Sequence, residues 1–433
     1  MQTASKKVIN GWAMYDWANS VYNLVITTTF FPIYFLAVTG SGEGNHEVEF
    51  LGRRFVNSSL YDYTLAVAYL FIAFLYPILT SIADTRGNKK SFMQFFCYMG
   101  SLGCVLLYFF DKTNLGLGIF AFMLAAMGYV GSLVFYNAYL PEIAAPADRD
   151  RISARGFSFG YVGSVLMQVI GFVLVTVMAD TGKATQITFL LVGIWWAGFA
   201  QSTFARLPAT VLRERSKGNV FKDGFREIKK VYEEVKHLPV LKRFLRGFFF
   251  YSMGVQTVML AATLFGSKVL HLPDTKLIIT VVIIQLVAII GAWSMSKLSA
   301  VYGNIKVLMG VVGIWILICL AAYYTANIAQ SGVNAEYYFY GLAVGVGLVM
   351  GGIQSLSRST YAKLMPETND TASFFSYYDV TEKVAIVIGI FSFGFIDELT
   401  GNMKYSILSL IVFFAIGLAW LYAALKKQQQ TGG

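Results

Sequence analysis

The chain has 433 residues, of which 56% are hydrophobic and 13% are charged, and its formal net charge is +10. This balance excludes an ordinary water-soluble domain, because such domains carry about twice that charged fraction. Nearly every basic residue lies between apolar stretches, so the positive charge indicates membrane topology rather than nucleic-acid binding.

Twelve apolar stretches, each long enough to cross a bilayer, follow one another along the chain. The stretch from Leu277 to Ser296 has no charged residue and one amide, Gln285, and about 20 apolar residues cross roughly 30 Å of hydrocarbon. The sequence therefore predicts an all-α membrane protein with twelve transmembrane helices. They are predicted near residues 11–39, 61–83, 92–110, 116–139, 156–178, 187–205, 245–267, 277–296, 306–328, 337–357, 373–396 and 405–425.

The loops between these helices differ in charge. Of the 34 Lys and Arg residues, 26 fall on both termini and on the loops near Arg86, Arg149, Arg213, Lys297 and Arg358. The positive-inside rule places these segments, including both termini, in the cytoplasm and the Glu43 to Ser59 segment outside. In a bacterial cell this would be a multi-pass protein of the plasma (inner) membrane.

A hydrophilic segment at residues 206–246 divides the chain into two halves. The division predicts an N-terminal six-helix bundle (1–205), a basic cytoplasmic linker (206–246) and a C-terminal six-helix bundle (247–433). Apolar residues at helical spacing predict an amphipathic helix from Asp223 to Arg246 within the linker.

Two short motifs, each present in equivalent loops of the two halves, indicate that the halves are related copies. Gly87–Asn88 recurs at Gly303–Asn304, and Pro141–Glu142 recurs at Pro366–Glu367, displaced by 216 and 225 residues. Such parallel repeats place a substrate site at their interface, near the midplane of the membrane.

Polar side chains recur at helical spacing in every third helix, which predicts a shared aqueous cavity. Interhelical hydrogen bonds would explain the uncharged members equally well. The candidate substrate and coupling residues from these stripes are Asp16, Asn19 and Asn23 in the first helix, Tyr136 in the fourth, Gln256 in the seventh, and Gln354 and Arg358 in the tenth.

Charged residues inside the helices are the strongest functional signal, because each costs roughly 3 kcal/mol at the bilayer centre. Asp379 and Lys383 are four residues apart in the eleventh helix and face the same way. Lys383 is predicted at a depth similar to Asp16, so it can pair with Asp16 or with Asp379. Asp16 is the preferred coupling acid, and a purely structural ion pair is the alternative.

Cofactor and metal signatures are not evident in the sequence. No stretch matches the glycine-rich phosphate-binding loop of nucleotide-driven pumps. The Cys residues lie inside predicted helices and the His residues in loops or at helix ends, so we expect no metal, no cofactor and no enzymatic activity. These residues are Cys97, Cys104, Cys319, His46, His237 and His271.

The segment after the second helix resembles that of major facilitator superfamily transporters. Asp84, Arg86, Gly87 and Lys90 match the acidic, basic and glycine pattern of that superfamily. The resemblance covers nearly the whole chain and implies two pseudo-symmetric six-helix bundles. It also implies that these four residues form a conformational latch that favours the outward-facing state.

Further motifs are similar to those of the vacuole-effluxer-like branch, also described as unknown major facilitators. The resemblance implies a secondary active transporter for a small polar solute, and its fungal relatives suggest amino-acid efflux. We expect a monomer in the lipid bilayer, with a small-molecule substrate, a coupling proton or ion, and no nucleic acid. A non-transporting receptor or scaffold with the same fold is the alternative. The motifs comprise Trp12, Ala13, Tyr15, Asp16, Trp17, Ala18, Asn19, Ser20, Tyr22, Pro141, Glu142, Gly351, Gly352, Gln354, Ser357, Arg358, Ser359, Phe374, Phe375, Tyr378, Asp379 and Lys383.

Overall fold

The computed structural model describes residues 2–40, 47–208 and 220–431, and most of them are helical. Twelve long helices run back and forth, which confirms the predicted all-α membrane fold. They are α1 (Lys6–Thr39), α2 (Asn57–Arg86), α3 (Lys89–Leu107), α4 (Leu115–Ile143), α5 (Arg149–Val177), α6 (Thr181–Arg206), α7 (Pro239–Lys268), α8 (Asp274–Tyr302), α9 (Asn304–Gln330), α10 (Glu336–Leu364), α11 (Thr371–Thr400) and α12 (Met403–Gln430).

Hydropathy alone does not identify every one of these helices. Within the described ranges, ten are long and apolar enough to cross a membrane by length and composition. The other two are α7 and α11. In α11, Asp379, Glu382 and Lys383 interrupt the apolar sequence, and the same three side chains line the interior of the protein.

The helices form two six-helix bundles, α1–α6 and α7–α12. In the N-terminal bundle α1 packs against α5 and α6, and in the C-terminal bundle α7 and α9 pack against α12. The bundles meet where α2 packs against α11 and where α5 packs against α8. These two pairs occupy equivalent positions in the two halves, as a parallel six-plus-six repeat requires.

The two ends of the molecule are distinguished by a hairpin and a linker helix. Strands β1 (Glu47–Phe50) and β2 (Arg53–Val56) form an antiparallel hairpin between α1 and α2, which the sequence did not predict. We call this end the hairpin side and the opposite end, where the linker helix lies, the linker side. Residues 41–46 of the segment predicted to face outward lie outside the described residues.

The linker helix (Val220–His237) packs across α2 and α11 on the linker side. The predicted helix from Asp223 to Arg246 is wrong as a single element, because α7 already begins at Pro239. Proline lacks a backbone N–H and restricts the residue before it, so the chain bends at Leu238 (φ −107°, ψ 83°). Residues 209–219 of the predicted linker lie outside the described residues.

A π-helical stretch from Tyr22 to Phe30 widens the middle of α1. The Leu24 carbonyl accepts hydrogen bonds from the Thr28 hydroxyl (2.8 Å), the Thr29 hydroxyl (2.9 Å) and Gln168 Nε2 (3.1 Å). The stretch therefore keeps polar atoms in the half of α1 that borders the interior cavity.

Candidate functional site

A cavity of about 700 Å³ lies between the two bundles and is lined by both. Its wall includes Asp62 near the start of α2 and Glu398 near the end of α11, and both side chains are exposed. The cavity therefore opens on the hairpin side. At its floor, around Asp16 and Arg358, direct contacts between the bundles close the way to the linker side.

Asp16 of α1 and Arg358 of α10 form an ion pair across the bundle boundary. Arg358 Nη1 lies 3.3 Å from Asp16 Oδ2, and the residues are only 3% and 4% exposed. The Tyr136 hydroxyl donates to the same carboxylate oxygen at 2.7 Å. Arg358 also donates to the Ser153 hydroxyl at 3.0 Å and to its carbonyl at 2.9 Å. Removing one partner would leave a buried charge unpaired, at a cost of roughly 3–5 kcal/mol.

The shape of the floor brings the two charges together. The Arg358 guanidinium lies between the Phe157 ring at 4.2 Å and the Trp12 ring at 4.8 Å, and such ring faces attract cations. A Cβ atom on Gly156 would lie 2.5 Å from Asp16 Oδ2 and 3.0 Å from Arg358 Nη2. Glycine at this position of α5 therefore leaves the space that the ion pair occupies.

A second group of charges lies on α11, in the wall of the cavity. Lys383 Nζ lies 2.7 Å from Glu382 Oε2, and Gln256 Nε2 of α7 donates to Glu382 Oε1 at 3.3 Å. Asp379 is 2% exposed, and its Oδ2 atom has no hydrogen-bond partner among the described residues. This wall thus holds one neutralised ion pair and one carboxylate with an unpartnered oxygen.

Neither of the two partners considered for Lys383 forms an ion pair with it. Lys383 pairs with its neighbour Glu382 rather than with Asp16 or Asp379, while Asp16 pairs with Arg358. Arg358 lies about 9 Å from the end of α10, and Asp16 lies about 15 Å into α1. The long Arg side chain spans that difference in depth, which helix position alone does not reveal.

The other candidate residues separate into two groups. Asn23, Gln256 and Gln354 line the cavity together with the charged residues. Tyr136 is absent from the cavity wall and contacts it through its hydrogen bond to Asp16. Asn19 is 1% exposed within the N-terminal bundle and is not part of the cavity wall.

Several polar residues of the cavity wall were missed by the sequence reasoning, among them Asp62, Asn137 and Glu398. Glu398 lies beyond the predicted end of its helix at residue 396, and Asp62 lies at the predicted start of its own. Residues at helix ends were assigned to the membrane surface. Asn137, which accepts a hydrogen bond from Arg358 Nη1 at 3.3 Å, is adjacent to the predicted Tyr136.

On the linker side, Asp84 of α2 caps the first turn of α11 in the opposite bundle. Its carboxylate accepts hydrogen bonds from the backbone N–H groups of Ala372 (3.2 Å) and Ser373 (2.8 Å) and from the Ser373 hydroxyl (2.8 Å). The first amides of a helix have no partner within it, and the helix dipole favours a negative charge there. Asp84 therefore ties the two bundles together.

The other predicted latch residues surround Asp84. Gly87 ends α2 in the left-handed conformation (φ 68°), which favours glycine. Lys90 Nζ donates to the Leu207 carbonyl of the same bundle at 3.4 Å. Arg86 is half-buried beside them. These three residues shape the end of α2, and Asp84 makes the contact across the boundary.

Lys89 and Glu142 add to the contacts at the start of α11. Lys89 forms an ion pair with Glu142, and its Nζ atom also donates to the Thr371 hydroxyl at 2.8 Å. The Thr371 hydroxyl in turn donates to Glu142 Oε1 at 2.5 Å. Lys89 was not among the predicted latch residues, although it lies directly within their motif.

A second cluster of cross-bundle contacts surrounds Asp150 at the start of α5. Asp150 accepts hydrogen bonds from the Ser299 hydroxyl (2.8 Å) and from Asn304 Nδ2 (2.7 Å). It also forms an ion pair with Lys363, whose Nζ atom lies 2.6 Å from Asp150 Oδ2. All three partners belong to the C-terminal bundle, so this cluster closes the linker side at a second point.

Arg149 adds a further tie next to Asp150. Its Nη1 atom donates at 2.6 Å to the Ala362 carbonyl, near the end of α10. A cation near the last carbonyls of a helix complements the negative end of the helix dipole. From the sequence, Arg149 counted only toward the charge excess of its loop. The available sequence signal for Asp150 was the repeat. Asp150 lies in the predicted loop that contains the repeated motif Pro141–Glu142, and its partner Asn304 belongs to the repeated motif Gly303–Asn304.

Two solved structures with the same architecture illustrate the fold. The fold matches a bacterial homologue of the iron transporter ferroportin in the outward-facing state over 97% of this chain and 98% of that chain (TM-score 0.65, 12% identity). It matches the transporter FucP in the outward conformation over 96% and 97% (TM-score 0.64, 13% identity). Two six-helix bundles around a central cavity define a major facilitator superfamily fold.

The sequence identifies a narrower group. The family described as "Vacuole effluxer Atg22 like" matches residues 4–431. An uncharacterized MFS-type transporter, YxiO of Bacillus subtilis (strain 168), is 30% identical over 420 residues, which are 95% of this chain and 93% of that protein. Autophagy-related protein 22 of Kluyveromyces lactis is 25% identical over 463 residues (96% and 92%). The chain belongs to the Atg22-like vacuole effluxer family and is a multi-pass membrane transporter, which confirms the resemblance.

Proposed function

We propose that the protein is a secondary active transporter that moves a small polar solute by alternating access, and that this structure is its outward-facing state. The observation that carries the proposal is the cavity of about 700 Å³, open on the hairpin side and closed on the linker side. Its size lies within the range of roughly 300–1,000 Å³ typical of small-molecule sites. Rocking of the two bundles would expose it to each side in turn.

The linker side is proposed to face the cytoplasm, together with both termini. The excess of 26 of the 34 Lys and Arg residues on that side supports this orientation. In a bacterial cell the protein would then lie in the plasma membrane, with its cavity open to the exterior. We expect it to work as a monomer, since each chain holds a complete cavity between its own two bundles.

Amino acids are the first solutes to test, and efflux is the first direction. The effluxer description of the family supports the direction. Polar groups such as Asn23 and Gln354 and rings such as Tyr161 line the cavity, so its wall offers both hydrogen bonds and apolar contact to a solute of amino-acid size.

Asp16 is the proposed coupling acid, and a proton is the proposed coupling ion. Its carboxylate and the Arg358 guanidinium belong to opposite bundles, so protonation of Asp16 would remove the attraction that holds the floor closed. The Tyr136 hydroxyl and Arg358 face the carboxylate, and Ser153 holds the guanidinium. Loss of this contact would release the bundles to rock.

The test begins with a thermal-shift screen of purified protein against metabolites, because a ligand of the folded state raises its apparent stability. Solutes that bind are then followed by counterflow in proteoliposomes. Transport requires that internal unlabelled solute drives uptake of labelled solute. A binding protein without counterflow would be a receptor instead. Asp16→Asn is expected to abolish the pH dependence of uptake, whereas Glu49→Gln, on the exposed hairpin, is expected to preserve it.

A further inference from the structure

We infer that the cavity binds a solute that carries a positive charge, as an ammonium or guanidinium group, and that Asp379 is the counter-ion of that group. The inference rests on the proposed function, since the solute is the one to be transported. It adds the chemical class of the solute and the residue that recognises it.

The charge of the cavity wall favours a cation. Among the described residues, five carboxylates line the cavity against two basic side chains, which leaves three negative charges when all are ionised. A cleft lined by one sign of charge with low-dielectric walls concentrates ions of the opposite sign. The charged lining residues are Asp16, Asp62, Arg358, Asp379, Glu382, Lys383 and Glu398.

Both basic side chains of the wall already have an acidic partner. Arg358 is held by Asp16, and Lys383 is held by Glu382 at 2.7 Å. An anionic solute would have to break one of these pairs and leave a buried carboxylate without its partner, which is costly. A cationic solute can enter while both pairs stay intact.

Asp379 lines the cavity, and one of its buried carboxylate oxygens lacks a partner. Its Oδ2 atom is the one buried carboxylate oxygen without a hydrogen-bond partner in residues 2–40, 47–208 and 220–431. Asn137 lies against the same side chain, and the charges of Lys383 and Glu382 act on it. The Lys383 Nζ atom itself donates to Glu382. A buried polar atom without a partner is costly, so a donor supplied by the solute would complete the site.

Acidic groups continue from Asp379 toward the open side. Glu398 lies about 28 Å further along α11, at the mouth of the cavity, where Asp62 of α2 is also exposed. Aromatic side chains, including Tyr69 and Tyr161, also line the cavity, and the Tyr69 ring already has a cation, Lys383 Nζ, at 5.6 Å from its centre. The wall therefore offers a cationic solute favourable contacts from the mouth to Asp379.

The test measures binding to the purified full-length protein by calorimetric titration at pH 7. Agmatine and tyramine are the cationic probes, and glutarate and 4-hydroxyphenylacetate, which carry no ammonium group, are the acidic probes. The expected result is that at least one cationic probe binds and that each acidic probe binds at least about tenfold more weakly. If neither cationic probe binds, or if an acidic probe binds as tightly, the proposal is overturned.

Variants then test whether Asp379 is the residue that binds the cationic probe. Asp379→Asn is expected to weaken binding of the cationic probe by about tenfold or more, the effect of losing a hydrogen bond to a charged group. Asp379→Glu keeps the charge and is expected to restore part of the affinity. Glu49→Gln removes one negative charge outside the cavity and is expected to leave affinity unchanged.

The proposal is overturned if a folded Asp379→Asn variant keeps its affinity for the cationic probe. If that variant loses only the pH dependence of uptake, Asp379 is a proton carrier and not the counter-ion of the solute. Should Asp379→Asn fail to fold, the selectivity of the native protein between the two classes of probe still decides. Counterflow of the bound probe separates the two proposals. Binding through Asp379 without counterflow contradicts transport, and counterflow of an acidic probe alone contradicts only the cationic solute.

Discussion

The two clusters that close the linker side occupy equivalent places in the repeat but use different chemistry. Asp84 comes from α2 and binds backbone amides at the start of α11. Asp150 lies in the first turn of α5 itself and binds side chains of α8, α9 and α10, including Lys363. The repeat therefore conserves where the bundles touch and changes which atoms touch.

This difference makes the two clusters unequal. Backbone amides of a buried helix start cannot turn to another partner when Asp84 is lost, so they bear the full cost of losing their hydrogen bonds. Lys363, whose side chain is 25% exposed, can turn toward water when Asp150 is lost. We expect the Asp84 cluster to contribute more to the closed linker side.

Loss of both clusters should have the largest effect. The double variant Asp84→Ala and Asp150→Ala is expected to shift the equilibrium toward opening of the linker side by roughly 3–5 kcal/mol, the sum of separate effects at distant sites. A single cysteine at Met259, on the cavity wall, reports the shift. Opening of the linker side closes the cavity on the hairpin side. Labelling of this cysteine by an impermeant reagent added on the hairpin side should therefore slow by at least about tenfold.

The labelling experiment requires replacement of the native cysteines, Cys97, Cys104 and Cys319, all of which are buried. A cysteine at the exposed Glu49 serves as the control, because its accessibility does not depend on the state of the cavity. Unchanged labelling at Met259 in the double variant would show that these clusters do not hold the linker side closed.

Asp84→Ala alone is expected to shift the same equilibrium by roughly 2–3 kcal/mol, because three hydrogen bonds to one carboxylate are lost. Asp84→Asn should have about half that effect, since its amide oxygen can still accept one bond. Comparison of labelling at Met259 between the two variants measures the contribution of the charge. Equal effects would mean that the charge adds nothing to the cap.

Asp150→Ala is expected to have a smaller effect, roughly 1–2 kcal/mol, because its partners are side chains that can rearrange. The ion pair with the partly exposed Lys363 should also make this cluster sensitive to salt. Labelling at Met259 at low and high ionic strength tests both points. A larger effect than that of Asp84→Ala would reverse the ranking of the two clusters.

The smallest effect is expected at the linker helix. Lys230 forms an ion pair with Asp370 at 2.6 Å next to the start of α11, and both side chains are partly exposed. Lys230→Ala should shift the labelling equilibrium by at most about 1 kcal/mol, and less at high salt. An effect as large as that of Asp84→Ala would make the linker helix a main element of closure.

Much of the fold could be predicted from the sequence, because each membrane helix must satisfy its own backbone and be apolar along its length. Both conditions are local, so the twelve stretches were visible. The β-hairpin was missed because its two short strands lie in a polar segment. The break at Pro239 was missed because the apolar spacing continues across it.

The site was predictable in its members but not in its pairs. Asp16, Arg358, Asp379 and Lys383 stood out because a charge in an apolar stretch is costly. Their partners depend on the crossing of helices that are far apart in sequence, on the reach of long side chains, and on the space left by Gly156. None of these is encoded by the spacing within a single helix.

The cap at Asp84 also constrains how the protein is made. Asp84 and Ser373 are separated by 289 residues, which a ribosome takes about 15–60 s to synthesise. During that interval the N-terminal bundle is in the membrane while the helix start that Asp84 binds does not yet exist. The acid must therefore stay hydrated at the bilayer surface or be shielded by other proteins of the insertion machinery. The half-made chain is thus more exposed to quality control than the finished transporter.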